Sequence, residues 1–319
     1  MKDLKTNLWG IDLGGTKVEG AVLESASFPQ VLFRHRLPTE SSQGYEHILG
    51  QIKQMVDHME SSLGYLPAKI GIATPGTRNT KTATMRNCNT TCLNGRMLKE
   101  DLEKLLGMEV CMANDANCFA VAEANMGIVK EKCPDARVVF GVIMGTGVGG
   151  GVVVDGKVIN GLHGIGGEWG HNILDASYGD LCYCGKMGCV EKILAGPALE
   201  KYYLNLGGSP KKMKEIYESY TLGRDEPAKK TILRMIHFFG MALSVVVNIL
   251  DPDVIVIGGG LGNIDLLYTE GRVSLQNYIF NDRVFDTPML RPKLGDSAGV
   301  FGAAFLTNVQ VENQQINLL

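Results

Sequence analysis

The chain has 319 residues, 45% hydrophobic and 20% charged, with 31 Lys and Arg against 34 Asp and Glu. At ~150 residues per domain that is an ordinary globular protein of two domains, and a net charge of −3 without a basic run withholds the electrostatic footprint of a nucleic-acid binder. No apolar leader opens the chain, and five of the eight cysteines are scattered through core-like sequence. The most apolar segment, 235–250, falls short of the ~20 residues a bilayer needs, so a cytoplasmic protein that meets no membrane is expected.

Residues 7–13 form an apolar run that ends in Asp12-Leu13-Gly14-Gly15-Thr16-Lys17, and 18–23 is rich in β-formers. This predicts a hairpin whose glycine turn exposes several N–H groups in one concavity, which suits a phosphate. Asp12 would then hold Mg²⁺, directly or through water; equally, a Gly-Gly turn between strands is often only a turn. Between 43 and 63, Ile48, Ile52, Met55, Val56, Met59 and Leu63 recur every three to four residues, predicting an amphipathic helix. A short strand at 69–74 runs into Pro75-Gly76, a turn of the kind that opens a ligand cleft in α/β folds. A second helix is predicted at 97–106. The polar stretch 77–94 reads as a loop in which Asn87, Asn89 and Asn94 are placed to hydrogen-bond a sugar.

A strand at 109–113 leads to Asn114-Asp115, just before a helix that includes 116–126. Asp115 reads evenly as a general base facing a cleft or as a helix cap. After a strand at 137–144 comes a second glycine-rich loop, Gly145-Thr146-Gly147-Val148-Gly149-Gly150-Gly151. It leads into strand-like 152–154 instead of a helix, which argues against a Rossmann fingerprint and against a Walker loop. Two such loops ~130 residues apart suggest two halves that close on one nucleoside triphosphate.

The stretch 161–191 is the densest in chemistry. Cys182, Cys184, Cys189 and His171 supply three sulfurs and one imidazole, which complete a tetrahedral Zn²⁺ with no position for water, so the ion would be structural. Gly185 and Gly188 let the backbone turn at φ > 0 so that the thiolates converge. The alternative is a set of buried free thiols. Glu168 and Glu191 flank these residues, either as the wall of a pocket for a polyhydroxylated ligand or as surface charges. Further on, 210–225 is charged and helical, and 229–250 is a buried helix stopped by Asp251-Pro252-Asp253. A buried strand at 254–257 precedes Gly258-Gly259-Gly260-Leu261-Gly262, which leaves room for an adenine or ribose. Gly295–Gly299 leads into a helical 300–306, and the tail after Val311 is polar.

DLGGTK (12–17), TPG (74–76), NDANC (114–118), GTGVGGG (145–151), GEWGHN (167–172), CYCGKMGC with Val190 and Glu191, and NILDPDVIVIGGG (248–260) occur in unbroken order between Gly10 and Ala304. With that set the chain resembles the ROK family of sugar kinases and sugar-responsive repressors, and most of all a bacterial ROK fructokinase. The resemblance implies an α/β, two-lobed, actin-like (RNase H-like) ATPase fold with the active site in the interlobe cleft. It implies an N-terminal lobe over 1–113, joined by a C-terminal helix at 303–319, and a larger lobe over 114–302 that contains the zinc site. The implied activity is transfer of the γ-phosphate of MgATP to the primary 6-hydroxyl of a hexose, fructose first, with glucose, mannose or an N-acetylated hexosamine as alternatives, in a homodimer.

On the same resemblance Asp115 would be the base and Asn114 would hold neighbouring hydroxyls. Glu168, His171, Glu191, Asn89 and the Pro75-Gly76 turn would line the sugar site. Gly14, Gly15, Thr16, Gly145, Thr146, Gly147 and Gly259 would contact ATP, and Asp12 would act through Mg²⁺. His171 would place one ring nitrogen on zinc and turn the other toward the sugar. The chain departs from the family's N-x-x-W-L-N-G loop, reading Asn89-Thr90-Thr91-Cys92-Leu93-Asn94-Gly95. A smaller residue at Cys92 changes the rim of the sugar pocket. The family's repressors carry a helix-turn-helix segment ahead of the first glycine loop; only eleven residues precede Asp12, so a kinase is expected over a regulator.

Overall fold

The computed structural model describes residues 7–282 and 284–308, and these divide into two compact units. The first is the chain up to Cys118 with Leu162–Gly164 and the stretch from Asp296 onward; the second is Phe119–Gly161 with Ile165–Gly295.

In the first unit, β1 (Leu8–Leu13), β2 (Lys17–Leu23) and β3 (Val31–Pro38) form an antiparallel meander. β4 (Lys69–Thr74) lies parallel to β1, and past the small hairpin of β5 (Thr77–Arg78) and β6 (Met85–Arg86), β7 (Glu109–Asn114) lies parallel to β4. The sheet order is β3-β2-β1-β4-β7. α1 (Tyr45–Leu63) buries the stripe Ile48, Ile52, Met55, Val56 and Met59, the positions its periodicity singles out. The polar stretch expected to be a loop contains β5 and β6, and α2 (Leu98–Leu106) follows it.

The closing helix spans Ala298–Phe305, followed by a short 3₁₀ turn at Leu306–Asn308. It therefore begins before the expected 303, and of that expected helix residues 309–319 lie outside the described ones. The chain leaves the first unit between Cys118 and Phe119, inside α3 (Asp115–Asn125), and not at 113/114. The first turn of α3 is clamped by the closing helix: a Cβ on Gly302 would stand 1.8 Å from the Cys118 carbonyl oxygen.

The second unit repeats the same strand plan. β8 (Val138–Met144), β9 (Val148–Val154) and β10 (Lys157–Val158) are antiparallel, while β11 (Val254–Gly258) and β12 (Met289–Leu290) extend the sheet in parallel from β8, in the order β10-β9-β8-β11-β12. Its helices are α4 (Ile128–Lys132), α5 (Val190–Leu194), α6 (Gly196–Asn205), α7 (Met213–Thr221), α8 (Glu226–Leu250) and α9 (Glu270–Gln276). α8 starts where the Asp225 carboxylate accepts the Ala228 N–H at 2.9 Å and ends at Asp251, in the left-handed region before Pro252. By length and composition α8 would also span a bilayer. Its Ile232, Met235, Phe239, Leu243 and Val247 instead fill the core of this unit.

Candidate active site

In the first unit three parallel strands end side by side. Asp12 on β1 pairs with Ala73 on β4, and Thr74 pairs with Asn114 on β7, so Asp12, Pro75-Gly76 and Asn114-Asp115 emerge along one sheet edge. Carboxyl ends of parallel strands are where α/β folds bind ligands. The Gly14–Thr16 turn closes through a Gly14 N–H to Lys17 carbonyl bond of 2.9 Å. It is braced from behind by Thr39, whose hydroxyl donates to the Gly14 carbonyl at 2.7 Å and whose N–H donates to the Thr16 carbonyl at 3.0 Å. Gly15 and Thr16 stay exposed at the tip. Lys17 reaches back: its Nζ lies 2.9 Å from the fully buried Glu19, which also meets Arg34 Nε at 2.7 Å and Arg36 Nε at 2.9 Å. Burial opposes ionisation of Glu19, but the hydrogen bonds from Lys17, Arg34 and Arg36 outweigh it and hold the carboxyl at about 2.

Two hydrogen bonds bear on the two readings of Asp115. Asn114 Oδ1 accepts the Asn117 N–H at 2.8 Å, which is the capping bond of α3, whereas Asp115 Oδ1 accepts from the adjacent Ala116 N–H at 2.8 Å. Asp115 is open to solvent, yet burial of its surroundings raises its carboxyl above the ordinary value against the pull of the Ala116 N–H. Asp12 is raised to about 6, chiefly by burial and then by the charge of Asp115. A buried carboxylate held up in part by a neighbouring one forms a site that a divalent cation would relieve.

The loop around Asn89 is only partly as expected. Asn89 is exposed. Asn94, expected to be available to a sugar, uses both ends of its amide on Cys88: Oδ1 accepts the Cys88 N–H at 2.9 Å and Nδ2 donates to the Cys88 carbonyl at 3.1 Å. Asn87 is exposed and sits in the left-handed region at φ 59°. The Pro75-Gly76 turn is locked beneath: the Cys88 thiol donates to the Pro75 carbonyl at 3.0 Å, and a Cβ on Gly76 would meet the Arg86 carbonyl at 2.4 Å.

In the second unit the strands of the sheet also end in glycine turns. Gly145, Thr146 and Gly147 turn between β8 and β9, and Gly259 follows β11, whose Gly258 pairs with Ile143 of β8. The two glycine loops therefore lie against each other, with Gly260 N 3.8 Å from where a Gly145 Cβ would be. Residues 148–151 belong to β9 and not to the loop. Their glycines admit the next segment: Trp169, buried, donates its indole N–H to the Gly149 carbonyl at 2.8 Å, and a Cβ on Gly150 would strike its ring at 2.7 Å. Glu191 does not stand in open space either; its Oε2 accepts the Val148 N–H at 3.1 Å, beneath the Gly147 turn.

His171, Cys182, Cys184 and Cys189 bring one ligand atom each to within 4.8 Å of one another. His171 Nδ1 is 3.5 Å from Cys182 Sγ, and Cys184 Sγ is 3.5 Å from Cys189 Sγ. Thiolates ~2.3 Å from a tetrahedral ion lie under 4 Å apart, so the donor set fits Zn²⁺. Gly188 holds φ 73°, and a Cβ there would stand 2.1 Å from the Asp175 carbonyl oxygen, so the turn that carries Cys189 requires glycine. Burial first, then the neighbouring thiols, push Cys189 up to about 12. The His171 nitrogen expected to face a sugar meets the Tyr183 hydroxyl at 2.7 Å. Tyr183, between Cys182 and Cys184 in Cys-Tyr-Cys, was no candidate from the sequence. Its phenol is pushed up by burial and then by Glu191 and Glu168, which gathers Glu168, His171, Tyr183 and Glu191 into one polar cluster.

The ROK family model matches residues 8–310. An N-acetyl-D-glucosamine kinase of Vibrio atlanticus is 36% identical over 309 residues, covering 93% of this chain and 98% of its own. The ROK hexokinase of Thermus thermophilus superposes with a TM-score of 0.82 at 29% identity over 94% of this chain and 97% of its own. A ROK glucokinase of Streptomyces griseus, solved with glucose and AMPPNP, gives 0.71 at 27% over 94% and 98%. The two units with their repeated strand order are thus the actin-like ATPase fold, and the chain belongs to the ROK family, as one of its sugar kinases.

Proposed function

We propose that this kinase phosphorylates the 6-hydroxyl of N-acetyl-D-glucosamine with ATP. The observation that carries the acceptor is the Vibrio atlanticus relative, 36% identical across 98% of its length and named for that sugar; a Yersinia enterocolitica relative at 33% bears the same name. The order of acceptors expected from the sequence, fructose ahead of N-acetylated hexosamines, is therefore reversed in this proposal.

Asp115 is the base. It takes the proton of the sugar hydroxyl as that oxygen attacks the γ-phosphorus and ADP departs. The observation that supports this is the division of labour at α3, in which Asn114 caps the helix and leaves the Asp115 carboxylate turned to solvent. Asn114, Asn89 and Pro75-Gly76 in the first unit, and Glu168, His171 and Glu191 in the second, are assigned to the sugar, with Tyr183 added on its bond to His171. The N–H groups of Gly14, Gly15, Thr16, Gly145, Thr146, Gly147 and Gly259 are assigned to ATP. Asp12 is assigned to Mg²⁺, which when bound neutralises phosphate charge. His171, Cys182, Cys184 and Cys189 would hold Zn²⁺, which when bound supplies rigidity to the 171–189 segment and fixes the His171 tautomer. Phosphorus-carbon coupling in the NMR spectrum of the product checks the position: coupling at C6 is expected, and a phosphate on C1 would refute Asp115-assisted attack by the primary hydroxyl.

A further inference from the structure

Thr39 and Ser41 spend their hydroxyls on the Gly14–Thr16 turn: Thr39 donates to the Gly14 carbonyl at 2.7 Å and Ser41 to the Gly15 carbonyl at 3.3 Å. A further hydroxyl reaches the turn from the loop between Asn89 and Cys92. Thr90 Oγ1 lies 3.7 Å from where a Gly15 Cβ would be. Thr90 is only 5% exposed, and its buried hydroxyl has no hydrogen-bond partner among the described residues. Buried hydroxyls ordinarily find one, because leaving them bare costs stability. A local partner is at hand, since Thr90 precedes the 3₁₀ turn Thr91–Leu93, where a side-chain oxygen commonly accepts a backbone N–H. Thr90 makes no such bond. The backbone around it is fixed, with Cys88 and Asn94 joined through both ends of the Asn94 amide and the Leu93 N–H donating to the Thr90 carbonyl at 3.1 Å.

Gly15 points the same way. Its backbone is outside the left-handed region, and among the described residues a Cβ there would meet only Thr90 Oγ1 within 4 Å, at ordinary contact distance. Neither backbone conformation nor packing therefore demands glycine at this position. An alanine methyl would instead fill the space beside the Thr90 hydroxyl, at the exposed tip of a turn assigned to ATP.

We propose that the Thr90 hydroxyl donates a hydrogen bond to a non-bridging oxygen of the γ-phosphoryl group of bound ATP, so that the loop presenting Asn89 also holds the group being transferred. This rests on the ATP-dependent kinase reading above. A phosphoryl oxygen is the fitting partner because it only accepts, and its charge strengthens the bond from a donor that no neighbouring carbonyl has claimed. Seated on the turn, the phosphate reaches the hydroxyl by displacing the Gly15 tip, which has no side chain to clear. The sugar fits less well, since Oγ1 faces the Gly15 turn and Asn89 is the exposed side chain of the loop. Held this way, Thr90 adds to the positioning and charge stabilisation on which phosphoryl transfer depends.

Calorimetry of Thr90→Val and Thr90→Ser with AMPPNP and with ADP, each in the presence of Mg²⁺, tests the contact independently of the acceptor sugar. Thr90→Val is expected to weaken AMPPNP binding by about tenfold or more, the scale of one hydrogen bond to a charged group, and to leave ADP binding within about twofold. Thr90→Ser, which keeps the hydroxyl, is expected to bind both as wild type does. Without nucleotide the melting temperature of Thr90→Val should be unchanged or higher, because a methyl replaces a buried hydroxyl that has no partner. With the sugar that wild type phosphorylates best, kcat should fall at least about tenfold in Thr90→Val and recover in Thr90→Ser. Equal AMPPNP affinity in wild type and Thr90→Val, an equal loss for AMPPNP and ADP, or a nucleotide-free melting temperature lowered by several degrees would overturn the proposal. A wild type that phosphorylates no sugar, with the AMPPNP-selective loss still present in Thr90→Val, would refute the proposed function and support this contact.

Discussion

Asp115→Asn separates a base from a structural residue because the two roles differ in size. Asp115 Oδ1 accepts the Ala116 N–H at 2.8 Å, and an amide oxygen keeps that bond; the capping bond of α3 belongs to Asn114 and is untouched. What the fold loses is one negative charge in the first turn of α3, worth ~0.3–1 kcal/mol through the helix dipole. Part of that is returned, because burial already disfavours the charge there. The melting temperature should therefore move by no more than about 4 °C. Loss of the base should lower kcat by ~10²–10⁴, a barrier change of about 3–5 kcal/mol. Coupled ADP release measures kcat, calorimetry the sugar affinity, and a thermal melt the fold. A variant that keeps kcat within about threefold of wild type would refute the assignment. The role would then have to pass to Glu168 or Glu191.

Metal analysis of protein purified without added metal should find about one zinc per chain, and Cys184→Ser should lose the metal and several degrees of melting temperature; equal stability with and without metal would contradict a structural ion. Two carboxylates give stability opposite pH dependences. Glu19, held at about 2, contributes stability that is complete above its unfolded value near 4.5 and is lost as pH falls toward 2. Asp12, raised to about 6, binds its proton more tightly folded than unfolded, so its ionisation lowers stability as pH rises from about 4 to 6. Glu19→Gln should cost about 3 kcal/mol at pH 7, by leaving three cations around a neutral group. Asp12→Asn should raise the melting temperature of nucleotide-free protein at pH 8 and not at pH 4, and denaturation curves across that range check both signs.

The glycine-marked hairpins, the α1 stripe and the Cys3His cluster were legible in the sequence because each depends on local pattern: turn residues, a 3.6-residue period and ligand spacing. What was not legible depends on tertiary neighbours. Gly149–Gly151 look like a longer phosphate loop until Trp169 is seen lying on them. Asn94 looks like a sugar ligand until Cys88 takes both ends of its amide. Tyr183 gains its place only when the knuckle from Cys182 to Cys189 folds back on His171. The closing helix was legible as 300–306 to within two residues; its first turn from Ala298 was obscured by Gly295–Gly299, whose glycines signal a turn although Gly299 lies inside the helix against Asp12.

The most direct test is kcat/KM measured by coupled ADP release for N-acetyl-D-glucosamine, fructose, glucose, mannose and N-acetylmannosamine under one set of conditions. N-acetyl-D-glucosamine is expected to exceed each of the others by at least about tenfold, the ~1.4 kcal/mol that a few well-placed hydrogen bonds to an acetamido group supply. A preference of the same size for fructose would contradict the proposed acceptor while leaving the kinase intact, and no ADP release with any of the five sugars would contradict the hexose-kinase assignment itself.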